Sequence, residues 1–449
     1  MDHDLIIIGS GAAGLGAARI GQWTEADTLM VTDGLPGGDC TFTGCVPSKT
    51  LLSAARDGLG FVEAMTRVRL TVERIAATET SDVLRKHGTH VVDGRGRLAT
   101  HDTVVVGERR ITAPRILIAT GGRPAIPPIP GLEGVAFRTN ETLFDLEQRP
   151  TTLGIIGGGP IGCEMAEAFT RLGTSVTLFE SEDRVLPREE PQASSVVDAA
   201  LRLLGVNIRT STAVERVDGA IRIHSSSDPV EVDELLVAVG RVPNTAGLAL
   251  DELGVTVDDR GFIETDRRLE TSVNGVYAAG DVTGKLPFTH AADEMGRIAA
   301  SNALGKGYGG RYRTDHTPWV TFTSPEVARV GVTEAEAASM GGMVAYLPMS
   351  EMDRAITDGA EDGFIKLIAA PKWLTRRLFG GRIIGATIVA PRAGEMINEI
   401  ALLMRSGSFA GRLAQTVHAY PTWSYGIQKA AGQFMGPVEG REARAARAP

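Results

Sequence analysis

Apolar and polar positions along this chain fall into blocks that read alternately as strands and helices. Residues 4–9, DLIIIG, are a short apolar run ending in glycine, which predicts a strand. AAGLGAARIGQW follows with helical spacing, and TLMVTD (28–33) predicts the next strand. The succession returns at 152–180, where TLGIIGGGP precedes a helical IGCEMAEAFTRLG and the strand SVTLFE. One strand–helix–strand plan therefore occurs twice, about 150 residues apart, as a duplicated nucleotide-binding unit. Between the copies lie the strands VVVGE and RILIATG and a proline-rich connection, RPAIPPIPGLEG, that marks a boundary or hinge. After about residue 315 the pattern changes. HTPWVTFTSPEVARVG, GFIKLIAA and RIIGATIVA predict an antiparallel sheet, with GEMINEIALLMRS as a helix beside it. The tail EGREARAARAP predicts a surface helix or a frayed end.

Composition sharpens this picture. At 449 residues the chain exceeds one compact core, so two to four domains are expected. Net charge is −9 with no basic stripe, which argues against a nucleic-acid partner. Three cysteines do not make a disulfide-stapled secreted domain. The start lacks a basic segment with a long apolar run, and no stretch reaches membrane-spanning length, so a soluble cytoplasmic protein without membrane partners is expected.

The glycines carry chemistry. Gly9, Gly11 and Gly14 sit between a predicted strand and helix. The first permits a tight turn, the second lets backbone N–H groups approach a pyrophosphate, and the third lets helix and strand pack closely. Gly157, Gly159 and Gly162 repeat the pattern. The second copy's next strand ends at Glu180, whose carboxylate can accept from ribose hydroxyls and repels a 2′-phosphate, so NADH is expected over NADPH. In the first copy Asp33 is the ribose candidate, with Thr32 as the competing position.

GGDCTFTGCVPSK (37–49) holds Cys40 and Cys45. Zinc needs about four ligands, and neither a second cysteine pair nor a histidine pair accompanies these. A disulfide closing so small a loop adds little stability. A redox pair at or just inside a helix start fits better, because helix-terminal N–H groups favour a thiolate. Cys163 reads as a small buried filler.

With these residues in view, the chain resembles the flavin-dependent pyridine nucleotide–disulfide oxidoreductases, a group that includes dihydrolipoamide dehydrogenase, glutathione reductase and mercuric reductase. IATGGRP (118–124), AVGRVPN (238–244), VYAAGDV (276–282) and the segments after residue 316 resemble further motifs of that family in the same order. The resemblance implies an α/β fold of two Rossmann-like dinucleotide-binding domains plus a C-terminal α+β dimerisation domain. It divides the chain into an FAD-binding domain (1–147 and 265–314), an NAD(H)-binding domain (148–264) and an interface domain (315–449). FAD would lie along Gly9, Gly11, Ala13 and Gly14, with Asp33, Gly38, Thr41, Lys49, Thr120, Gly121 and Asp281 beside it. The nicotinamide dinucleotide would lie along Gly157, Gly159, Pro160, Ile161 and Gly162, with Glu180 and Gly240 nearby. Cys45 would be the sulfur nearest the flavin and Cys40 the thiol that meets substrate. Lys49 would sit near flavin N5, paired with Glu164. A homodimer follows, each site being completed by the partner chain. No resident metal is implied.

The resemblance breaks near the C-terminus. The family's H-P-T-x-S-E segment, whose histidine is the acid/base and whose glutamate orients it, reads here Tyr420-Pro421-Thr422-Trp423-Ser424-Tyr425. Tyrosine has an unperturbed pKa of about 10 and is a poor base at neutral pH. His418, two residues earlier, is the substitute candidate, and the three aromatics predict an aromatic-walled pocket. The expected activity is therefore NADH-dependent reduction of a disulfide or related electrophilic acceptor. Alternatives are a mercuric reductase-like metal-ion reductase, a flavin-based quinone reductase and a non-turnover redox sensor. Mercuric reductase-like members add a C-terminal cysteine pair, and the tail quoted above has no cysteine.

Overall fold

The computed structural model describes residues 1–307, 309–371 and 378–448. The chain folds as two compact units. The first comprises Met1–Pro128, Ala136–Pro150 and Glu234–Arg313, and the second Ile129–Val135, Thr151–Asp233 and Thr314–Pro449.

The first unit is built on a five-stranded parallel sheet in the order Val276–Ala278, Ile116–Ile118, Leu5–Ile8, Thr28–Thr32, Thr89–Asp93. Leu5–Ile8 is buried throughout, as a central parallel strand covered on both faces requires. Helices Ala12–Trp23 and Thr289–Leu304 cover one face. They approach closely because small residues line their contact: a Cβ on Gly296 would lie 1.9 Å from the Ala13 carbonyl oxygen. On the other face Leu98, Val104, Ile111 and Leu248 pack against the sheet. Three of these come from the antiparallel strands Gly96–Thr100, Thr103–Val106 and Arg109–Thr112.

The second unit repeats the parallel plan with strands Asn207–Arg209, Ser175–Phe179 and Thr152–Ile156. Helices Pro160–Arg171 and Pro191–Leu204 belong to it. Its other half is an antiparallel sheet ordered Trp319–Thr321, Glu326–Gly331, Arg382–Ala390, Phe364–Ala370, Met343–Pro348, Arg444–Ala445. Ile365, Leu367 and Ala369 face an apolar core shared with helices Ala393–Ser406 and Tyr425–Gly432. Lys366 points the other way and is fully buried. Its ammonium lies 3.1 Å from Glu190, 2.9 Å from Glu334 and 3.0 Å from the Gln192 amide oxygen.

The tail departs from the expected surface helix or frayed end. Arg444–Ala445 pairs as an edge strand with Met343 and Val344. Arg444 forks onto Glu334, and Arg441 onto Glu351, so paired charges fix what looked like a loose polar end.

Candidate active site

The two glycine turns have matching geometry. Gly9 and Gly157 both adopt φ +110°, in the region that favours glycine. A Cβ on Gly14 would lie 2.0 Å from the Gly9 carbonyl oxygen, and one on Gly162 would lie 1.9 Å from that of Gly157. By contrast, nothing lies within 4 Å of a Cβ built on Gly11 or Gly159. Each turn thus combines a tight helix–strand contact with an open middle glycine at a helix N-terminus, the cradle that a pyrophosphate fits.

The first turn also positions the cysteines. Gly37 N–H donates to the Ser10 carbonyl at 2.9 Å, and a Cβ on Gly38 would meet Gly11 Cα at 2.8 Å. The short helix Gly38–Phe42, carrying Cys40, therefore rests on the phosphate turn, and helix Cys45–Arg56 follows directly. Both cysteines are thiols in this structure. Cys45 is exposed and its Sγ lies 3.4 Å from Thr289 Oγ1. Each of these residues is the first of its helix, so two helix N-termini converge on one sulfur. A hydrogen bond with Cys45, then burial, push the Cys40 thiol well above its ordinary value. Lys49, half-buried, stands one helical turn beyond Cys45.

Arg241 ties three motifs of this unit together. Its guanidinium donates to Asp281 at 3.1 Å, to the Gly122 carbonyl at 2.5 Å, and to Asp39 beside Cys40. Burial raises the Asp281 carboxyl above the ordinary aspartate range, and Arg241 opposes that shift. Thr120 and Asn244 exchange hydrogen bonds at 2.7 and 3.1 Å, joining the ATG turn to the AVGRVPN segment. Gly121 (φ +70°) and Gly240 (φ +139°), both in the first unit, face open space. Ala13 is buried against Gly280 and Gly296. Thr41 is buried and donates to Glu79 at 2.7 Å. Thr32 is occupied by the Ser10 hydroxyl at 2.6 Å and by its own donation to the Gly34 carbonyl. Asp33 is exposed and pairs with Arg95 at 2.9 Å.

In the second unit, Pro160 and Ile161 open the helix after the turn. The Glu180 carboxylate accepts from Gly158 N–H at 2.7 Å and Glu182 N–H at 2.9 Å, which fixes it beside the turn. Glu164 is buried and accepts from Phe322 N–H at 2.9 Å. Cys163 is fully buried, and burial raises its thiol, as a filler would behave.

The divergent segment places its aromatics differently from one another. Tyr420 is 64% exposed, and its hydroxyl donates to Asp353 at 2.5 Å. The Tyr425 ring meets it edge-on at 5.6 Å. Trp423 is buried in the core, so the expected aromatic wall loses that member; its indole fills space between helix and sheet. His418 has both ring nitrogens occupied: Nδ1 lies 2.9 Å from the Thr416 carbonyl and Nε2 3.0 Å from Glu399.

The chain matches the pyridine nucleotide-disulphide oxidoreductase family over residues 3–296, and that family's dimerisation domain over 317–431. It belongs to this family. The family is FAD-dependent and works with a pyridine nucleotide. Among curated relatives, the chain is 34% identical to a mercuric reductase of Bacillus cereus, across 96% of this chain and 72% of that one. It is 33% identical to a dihydrolipoyl dehydrogenase of Chlamydia pneumoniae, across 94% and 95%. An NAD(P)H dehydrogenase (quinone) of Mycobacterium tuberculosis is 32% identical, across 96% and 94%. Among solved structures, the Cu(II) complex of the HOCl-induced flavoprotein disulfide reductase RclA of Escherichia coli superposes with a TM-score of 0.86 at 30% identity, covering 96% of this chain and 99% of that one. Among the described residues, no helix is long and apolar enough to cross a membrane.

Four of the residues described above escaped the sequence reading. Arg241 lay inside a quoted motif, but its partners are 40 to 202 positions away. Thr289 had a faint signal, as a threonine opening a helical run. Asp353 and Glu399 had none, being partners of Tyr420 and His418 only in space.

Proposed function

We propose that this family member transfers electrons from NADH through FAD to the Cys40–Cys45 pair, and from Cys40 to a disulfide or related electrophilic acceptor. FAD would occupy the cradle at Gly11, in a domain of residues 1–147 and 265–314. NADH would occupy the cradle at Gly159, in a domain of residues 148–264. The fixed Glu180 carboxylate supports NADH over NADPH. Residues 315–449 would form the dimer interface. When bound, FAD supplies the two-electron relay between nicotinamide and sulfur.

The observation that carries this reading is the asymmetry of the two thiols. Reduction of the Cys40–Cys45 disulfide by two electrons breaks the S–S bond. Cys45, between two helix N-termini and beside Thr289, would then hold the negative charge, while Cys40 takes the proton. Cys40 passes that proton to solvent and attacks one sulfur of a disulfide acceptor, forming a mixed disulfide and expelling a thiolate. Cys45 then attacks Cys40, closing the internal disulfide and releasing the second thiolate. The expelled sulfur needs a proton. The Tyr420–Asp353 pair of the second copy would give it, in place of the family's histidine–glutamate pair. Asp353 keeps the tyrosine protonated by accepting its hydrogen and repelling the phenolate.

Anaerobic NADH oxidation against disulfides, quinones and mercuric ion tests this assignment. Disulfide turnover in wild type that disappears in Cys40→Ser supports it. Quinone turnover equal in both proteins, with no disulfide turnover, would assign the chemistry to the flavin alone, as the name of the Mycobacterium tuberculosis relative suggests.

A further inference from the structure

The glycine turn, thiols and Arg241 cluster gather around the C-terminal ends of the first unit's parallel strands. At the opposite end of the same sheet, three side chains converge that this chemistry does not use. His3 precedes the strand Leu5–Ile8, Asp27 precedes Thr28–Thr32, and His90 is the second residue of Thr89–Asp93. His3 Nδ1 lies 3.0 Å and His90 Nε2 3.3 Å from the same oxygen, Asp27 Oδ1. The two imidazole rings are 5.2 Å apart. One ligand atom from each residue falls within a 4.8 Å span.

The two contacts to Asp27 lie close to the edges of a metal polyhedron. Zinc–ligand bonds of about 2.0–2.1 Å in a tetrahedron imply ligand–ligand edges of roughly 3.3–3.4 Å. The two contacts to Asp27 need to open by a few tenths of an ångström at most to admit a cation. The backbone beneath is held. Asp4 N–H donates to the Asp27 carbonyl at 2.8 Å, and Asp27 N–H donates to the Asp4 carboxylate at 3.0 Å. Thr28 is paired with Leu5 on one side and Thr89 on the other. The ligands therefore sit at the starts of three hydrogen-bonded neighbouring strands. His3 is mostly buried, whereas Asp27 and His90 face solvent and leave the remaining coordination positions open to water.

We propose that His3, Asp27 and His90 form a binding site for a borderline divalent transition cation, separate from the redox centre. Two imidazoles and one carboxylate suit Cu(II), Zn(II) or Ni(II), with Cu(II) held most tightly. Magnesium and calcium require more oxygen ligands than this site offers. A bound ion ties the first three strands of the sheet at their N-terminal ends and stabilises the folded state by linkage.

The test uses the full FAD-loaded chain with Cys40 and Cys45 both replaced by serine, so that the active-site thiols cannot capture the metal. Zn(II) is titrated calorimetrically, and Co(II) is added separately for its tetrahedral visible absorption. The expected result is a single site per chain with a Co(II) band. His90→Ala, at an exposed position that leaves the core intact, should weaken Zn(II) binding at least about tenfold and abolish the band; Asp27→Asn should do the same. Circular dichroism establishes that each variant is folded. Unchanged Zn(II) affinity in both variants, or no binding in the parent protein, would overturn the assignment.

Discussion

Tyr420 stands where the family resemblance would place a histidine, and its surroundings bear on the proton-donor role proposed for it. An exposed phenol would ordinarily titrate near 10. Here the Asp353 carboxylate accepts its hydrogen at 2.5 Å and raises its pKa. A raised pKa keeps the proton on through neutral and mildly alkaline pH, so the group can donate but is a weak base. Two outcomes follow. Tyr420→Phe should lower kcat/KM for a disulfide acceptor by about a hundredfold or more, the usual cost of removing a proton donor. Asp353→Asn should let the phenol ionise earlier, so the alkaline limb of the kcat/KM profile moves to lower pH. An alkaline limb that stays in place would separate Asp353 from the chemistry. His418, with both nitrogens engaged, should tolerate His418→Gln with less loss than Tyr420→Phe, measured in the same assay. At this scale the sequence was legible wherever function is written in neighbouring positions, as in Gly9-x-Gly11 or Cys40-x₄-Cys45. Asp39, Arg241 and Asp281 were not legible as a cluster, because only folding brings them to one guanidinium.

Among elements, the strand Phe364–Ala370 shows how a polar residue can interrupt an apolar run without disrupting it. Alternation sends Ile365, Leu367 and Ala369 into the core and Lys366 to the opposite face. There its ammonium meets Glu190 and Glu334, while Arg444 from the tail strand balances the second carboxylate. Removing Lys366 alone leaves two buried carboxylates short of a cation. Lys366→Met should destabilise the protein by about 3–5 kcal/mol in urea unfolding, and a loss below about 1 kcal/mol would contradict the ion-network account. Glu334 adds a pH signature. Burial alone would raise its pKa, but Arg444 and Lys366 bring it down from 4.5 to about 2. A depressed folded-state pKa contributes stability above about 4.5 that is lost as pH falls toward about 2. The slope of stability against pH in that window should flatten in Glu334→Gln. The strands and helices themselves were readable from apolar spacing. The tail strand was not, because its sequence is rich in charge: Ala443 and Ala446 pack on apolar clusters, but the ion pairs to Glu334 and Glu351 join residues far apart in sequence.

For the whole molecule, the dimerisation domain and the exposed Tyr420 together support a site shared between two copies. Complementation separates this from a self-contained site. In a hybrid of Cys40→Ser with Tyr420→Phe, one of the two shared sites keeps both wild-type residues, so activity returns on mixing subunits. A self-contained site leaves every hybrid as inactive as its parents. The duplicated plan was visible in the sequence because each nucleotide turn is local; the proposed sharing of a site between two copies came from the family resemblance alone, because periodicity and spacing within one chain carry no sign of it.

The central claim is that the Cys40–Cys45 pair carries electrons. Anaerobic titration of the FAD-loaded protein with NADH, followed by absorbance, tests it most directly. Wild type should take up a second equivalent of NADH beyond that needed for the flavin, and should show a long-wavelength band from the Cys45 thiolate, while Cys45→Ser should show neither. Persistence of the band and of the second equivalent in Cys45→Ser would contradict the account.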